Sequence, residues 1–268
     1  MADPLVTYDH QPPAAVITLN RADKRNALSR ALISALAEAF ARAKDDAQAR
    51  CVILAGAGPV FCAGMDLAEL QEALDAAAKS GEALGAVWEN ALLLAKLYDQ
   101  IYGFPKPTIA IVQGAAVAGG AGLVSVCDLA VSTPEAKFGY PEVRRGLVAA
   151  MVMPHLMRHV GERMARYLLL TGELIDAVAA QRAGFINAVV PAEELRESAQ
   201  AWAKAIAEGG PQAIMQTKKL LRGFSHQALS VEQAAQESGA PRLSEECKQG
   251  LRAFFSKQPP PWTAGGDH

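Results

Sequence analysis

The stretch that decides the fold is Pro107–Leu123, "PTIAIVQGAAVAGGAGL", in which an apolar β-branched run breaks into small, glycine-bearing residues and then a helix. Cys51–Leu67, "CVILAGAGPVFCAGMDL", follows the same plan. A continuous apolar run of strand length bounded by glycine is expected as a buried strand. The small residues after it admit two readings, close packing of helix on strand, or room for a ligand atom to reach backbone amides. Two such loops side by side could offer two N–H donors to one developing oxyanion.

Outward from these stretches, "AAVITLN" (Ala14–Asn20) alternates as a strand, and "RALISALAEAFARAKDD" repeats Leu32, Leu36, Ala39 and Phe40 at helical spacing, with Ser29 as its N-cap. Gln71–Tyr102 is an alanine-rich helical region, stopped by Pro105 and Pro107. "AGGAGLVSVC" suggests a buried helix, and "DLAVST", "AKFGY" and "INAVVP" short strands. From Glu193 onward the pattern is almost wholly helical, and "QPPPWTAGGDH" is expected to fray. Strands alternating with helices indicate an α/β protein with covered sheets.

Composition narrows the function classes. The 268 residues carry 26 Lys+Arg against 28 Asp+Glu, a net charge of −2 that gives no global attraction for nucleic acid or an anionic membrane. The four cysteines (Cys51, Cys62, Cys127, Cys247) form no C-x-x-C pair and are expected as reduced, buried thiols. "MADPLVTYDHQPP" lacks the basic flank and apolar centre of a signal peptide, and no apolar run reaches the ~20 residues of a membrane span, so a cytoplasmic protein is expected.

Neither loop is a phosphate-binding motif of the P-loop or G-x-G-x-x-G kind. Glu142, after Pro141 in "KFGYPEVRRGL", is a candidate for proton transfer if desolvated; the alternative is an exposed carboxylate paired with Arg144 or Arg145. Asp66 suits the first turn of a helix. "HLMRH" spaces His155 and His159 four apart but lacks the glutamate of H-E-x-x-H, and Ser125 and Ser132 sit in no G-x-S-x-G elbow. No metal site is expected.

Six segments standing in order, "LNRADKRNALS", "VILAGAGPVFCAGMDLAEL", "KPTIAIVQGAAVAGGAGL", "CDLAVSTPEAKFGYPEVRRGLV", "LLLTGELIDAVAAQRAGFINAVVP" and "GLRAFFSKQPPPW", resemble the enoyl-CoA hydratase/isomerase (crotonase) superfamily over nearly the whole chain. The resemblance implies an α/β spiral of ββα units over residues 1–195. Residues 196–268 would be a helical region that assembles trimers or dimers of trimers. It implies that the amides of Met65 and Gly119 hold a thioester oxygen and that Glu142 transfers the proton. Coenzyme A, as part of the substrate and with no separate cofactor, would lie along Lys24, Arg25, Ala27 and Leu28, and along Ala63, Gly64, Met65, Asp66 and Leu67. Lys257 would reach the CoA of a neighbouring subunit.

The acyl pocket would be lined from Gln71–Tyr102. Hydratases of the family carry a second glutamate where this chain has Gly122, and the acid of dienoyl isomerases and dehalogenases is here Ala150. "EVRRGLVAAMVMPHL" is similar to hydratases of branched-chain acyl-CoA breakdown. Hydration of a 2-enoyl-CoA is therefore the leading expectation. The alternatives are a 3-enoyl to 2-enoyl isomerase using Glu142 alone, and a non-catalytic acyl-CoA-binding protein. An RNA-binding role finds no basic helix beyond Lys218 and Lys219.

Overall fold

The computed structural model describes residues 3–80, 83–224 and 230–258. Strands run β1 Val6–Gln11, β2 Ala14–Leu19, β3 Cys51–Gly56, β4 Thr108–Val112, β5 Ala115–Val117, β6 Leu129–Ser132, β7 Lys137–Gly139, β8 Leu174–Asp176 and β9 Ala188–Val189. Helices run α1 Arg30–Asp45, α2 Leu67–Ser80, α3 Ala83–Tyr102, α4 Gly119–Val126 and α5 Met153–Thr171, then α6 Ala177–Arg182, α7 Leu195–Glu208, α8 Pro211–Phe224, α9 Val231–Gly239 and α10 Glu245–Ser256.

A six-stranded sheet has the order β1-β2-β3-β4-β6-β9, parallel except for the β1–β2 hairpin. A second sheet, β5-β7-β8, stands beside it. Strand alternation sorts the large sheet into two buried faces. Ala15, Ile17, Leu19, Val52, Leu54, Ala110 and Val112 face the main core with α1 and α3. Val16, Ile53, Ala55, Ile109, Ile111 and Val131 face α7 through Leu195, Ala199 and Ala203. That double coverage explains why the strands are continuous apolar runs.

Ser29 caps α1 as expected, its Oγ accepting from the Leu32 N–H at 3.2 Å. Two features went beyond the sequence reading. β1 was not foreseen as a strand, because its outer residues Asp9, His10 and Gln11 are exposed at the sheet edge. The alanine-rich region is helical as expected, in α2 and α3, while α5 breaks at Gly161, whose φ of 69° and ψ of 170° lie outside the helical range. The polar tail from 259 onward lies outside the described residues. Among the described residues no helix is long and apolar enough to cross a membrane.

Candidate active site

Where the strands of the two sheets end, the glycine-bearing loops meet. The segment after β3 is stitched on both sides. Cys62 N–H donates to Ala115 O at 3.1 Å and Val117 N–H to Cys62 O at 3.1 Å. Ala63 N–H donates to Arg25 O at 3.0 Å and Leu28 N–H to Gly64 O at 2.8 Å. Gly64 has a φ of +87°, and a Cβ on it would lie 3.1 Å from the Gly119 nitrogen and 2.9 Å from Val117 O, so only glycine lets the loops come this close. Ala118 has a φ of 50° and ψ of −125°, an uncommon conformation for a residue with a side chain. It turns the chain into α4 immediately before Gly119. Among the described residues the Met65 and Gly119 amides donate to no backbone or side-chain acceptor. Both line one cavity of about 400 Å³.

Glu142 faces the same cavity from a 3-10 helix, Pro141–Arg145, whose first position is set by proline and whose end turns on Gly146 at φ 67°. Its Oε2 is buried without a hydrogen-bond partner. Burial pushes the carboxyl up to about 7, and the charge of Arg145 offsets only part of that. The alternative of an ion-paired surface carboxylate fails. Arg144 pairs with Glu173 at 2.6 Å. Arg145 instead reaches Pro141 O at 3.4 Å and lies over the Phe254 ring, 4.8 Å from its centroid.

Two further side chains complete the interior. Tyr98 of α3 is buried, and its hydroxyl donates to Gly119 O at 2.8 Å. Burial, with Cys62, Tyr140 and Glu142 nearby, holds that phenol protonated. A Cβ on Gly122 would stand 2.5 Å from both Tyr98 Oη and Val152 Cγ1, so the space a side chain there would need is filled. Arg242, between α9 and α10, also lines the cavity. Burial lowers its pKa to about 10, so it is still charged at neutral pH.

Of the expected binding residues, Lys24, Arg25, Ala27, Ala63, Met65, Asp66 and Leu67 line the cavity, with Lys24 and Arg25 exposed at its mouth. Leu28 and Gly64 stand behind its wall, their chains joined as above. Lys257 lies outside the lining, exposed just past α10. The Asp66 carboxylate is committed to structure. It pairs with Arg21 at 2.5 Å and accepts from the Ala68 and Glu69 amides at 3.1 and 3.3 Å, starting α2. Those bonds outweigh its burial and hold it below the usual carboxylate range.

Leu94 and Tyr98 bring the Gln71–Tyr102 region to the cavity. His159 hydrogen-bonds Ser125 O at 2.8 Å and His155 packs edge-on to Tyr102 at 4.7 Å between centroids. Tyr98, Arg242 and Asn26 escaped the reading of the sequence. Asn26 is buried, and its Nδ2 donates to Ala57 O, Val60 O and Phe61 O at 2.9, 2.8 and 3.0 Å. The one signal for it was a polar residue among loop residues that had no other reason to be fixed.

The sequence family described as enoyl-CoA hydratase/isomerase matches residues 10–265. The chain belongs to that family of enzymes. It is 40% identical over 248 residues to a Thermus thermophilus protein provisionally named an enoyl-CoA hydratase, covering 92% of this chain and 96% of that one. It is 32% identical to the 2,3-dehydroadipyl-CoA hydratase of Escherichia coli, covering 93% and 95%. The crystal structure of an enoyl-CoA hydratase from Mycobacterium avium superposes with a TM-score of 0.84 at 33% identity, over 98% of this chain and all of that one. The fold is therefore the crotonase fold.

Proposed function

We propose that this family member adds water to a 2-enoyl-CoA thioester. The observation that carries the reading is the pairing of two unengaged amides, Met65 and Gly119, with one buried carboxyl, Glu142, around a single cavity. The thioester oxygen sits between the amides, and polarisation makes Cβ electrophilic. Ionised Glu142 takes a proton from water as the oxygen attacks Cβ, and the electron pair of the double bond moves onto Cα and the thioester oxygen as an enolate. Protonated Glu142 then returns that proton to Cα, so one group serves as base and acid, and a carboxyl near pH 7 suits both roles. Lys24 and Arg25 at the mouth supply cations for the phosphates of CoA. Lys257 reaches the CoA of a neighbouring copy in a trimer, which light scattering and the KM of Lys257→Ala test.

The filled space beside Gly122 favours a second reading, isomerisation of a 3-enoyl-CoA, which needs one carboxylate and no held water. Absorbance of the conjugated enoyl thioester, with product masses, separates the two. Loss of conjugation from a 2-enoyl-CoA with the mass of one added water supports hydration. Gain of conjugation from the 3-enoyl isomer at constant mass, with the 2-enoyl-CoA untouched, supports isomerisation. No change in either sinks both.

A further inference from the structure

We propose that Arg242 makes this site select acyl groups that carry a carboxylate beyond the reacting carbons, an inference that rests on the acyl-CoA reading above. Arg242 is 2% exposed and borders the cavity together with Leu94, Tyr98 and Ser238. Among the described residues its guanidinium makes one hydrogen bond, from Nη2 to Ser238 Oγ at 3.2 Å, and its Nε finds no partner. Among the described residues no carboxylate lies within ion-pair distance of it. The charged or titratable groups that bear on it are Cys247 and Tyr98, both held neutral by burial.

Several other half-buried cations among the described residues are answered by a carboxylate or by carbonyls. Arg21 pairs with Asp66 and Lys218 with Asp128, both at 2.5 Å, and Arg222 pairs with Asp99 at 2.6 Å. Lys106 donates to Ala43 O and Asp46 O at 2.7 Å. Arg145 meets Pro141 O and the Phe254 ring, and its charge faces Glu142 across the same cavity. Arg242 is withdrawn further from water than any of these, and among the described residues only a hydroxyl meets it.

Burying a guanidinium without a counter-ion is strongly unfavourable, and an apolar residue would fill the same place at no such cost. Much of the surrounding lining is apolar, including Leu94, Met151 and Val152. A fixed, planar, always-charged fork facing a substrate cavity suits a carboxylate, which it can bind through two parallel hydrogen bonds. The carboxylate belongs to the acyl group rather than to CoA, because the exposed Lys24 and Arg25 mark the mouth, whereas the buried Arg242 borders the cavity with the buried Leu94 and Tyr98.

Binding tests this apart from turnover. Saturated acyl-CoAs, with and without a terminal carboxylate and across a series of chain lengths, are titrated calorimetrically into the full-length wild type and Arg242→Met. The wild type is expected to prefer one carboxylate-ended length by about 100-fold, and Arg242→Met to lose that preference while binding the neutral partner as well as before. Arg242→Lys, with the charge but not the fork, is expected to fall between.

A wild type that prefers the neutral chain at every length overturns the proposal. So does equal weakening of both ligands by Arg242→Met, or a change of oligomeric mass that shows a second copy answering the charge. If neither ligand binds the wild type, the acyl-CoA reading itself fails. Binding with selectivity but no turnover of the corresponding enoyl-CoAs leaves Arg242 assigned and removes only the hydration step.

Discussion

At the scale of the residue, Glu142 is held in a place that disfavours its charge. Its carboxyl sits near 7 against an ordinary value of 4.5. Between those two values the unfolded chain has released its proton while the folded one keeps it, so stability falls as pH rises through this window and is level above it. Glu142→Gln removes that slope. The variant is expected to gain on the order of 3 kcal/mol over the wild type in urea unfolding at pH 8, and little at pH 4.5, while activity falls by about 10³-fold.

Tyr98 is the second residue to test. Tyr98→Phe removes the side-chain donor to Gly119 O, and kcat is expected to fall about 10-fold with KM nearly unchanged and a loss of about 1 kcal/mol in stability. Glu142 was legible from its place after Pro141. Whether Arg144 or Arg145 neutralised it was not, because that depends on Glu173 and Phe254, which lie far along the chain. Tyr98 was invisible for the same reason. Nothing within its own helix says that its hydroxyl ends against another helix.

At the scale of the element, the loop after β3 is positioned by side-chain hydrogen bonds as much as by its strands. Asn26 holds a φ of 53°, accepts from Arg21 N–H at 2.9 Å, and donates into three carbonyls of residues 57–61. Asn26→Ala leaves those buried groups unmet. It is expected to cost about 3 kcal/mol in denaturant unfolding and to lower kcat/KM by loosening Met65, with Asn26→Asp only partly restoring either. The strands β2, β3 and β4 were readable because both of their faces are buried and their residues are continuously apolar. β1 was not, since an edge strand buries half its length and reads like a polar leader.

At the scale of the whole molecule, the cavity is closed by parts of the chain distant in sequence. α10 lies so near the Glu142 segment that a Cβ on Gly250 would stand 2.7 Å from Arg145 O. Gly250→Val is expected to lift α10, cost about 2 kcal/mol, reduce kcat/KM, and open Cys247 to a thiol reagent that does not reach it in the wild type. Absence of faster Cys247 labelling would mean that the helix has not moved. The order of six motifs carried the architecture of the core. The docking of the C-terminal helices was not legible, because the residues that fix it, Gly250 and Ser238 among them, are small and ordinary in their own surroundings.

The occupied space beside Gly122 bears on the history open to this chain. A lineage that gained a glutamate there in one step would drive it into the Tyr98 ring and Val152, so the mutation would be selected against before any chemical benefit appeared. Only a chain in which both Tyr98 and Val152 had first given way to something smaller could accept it, and loss of the Tyr98 hydroxyl would remove the support beneath Gly119. The enzyme thus stands across a valley from a chain with a glutamate at this position. The order of substitutions, more than their number, governs whether it can be crossed.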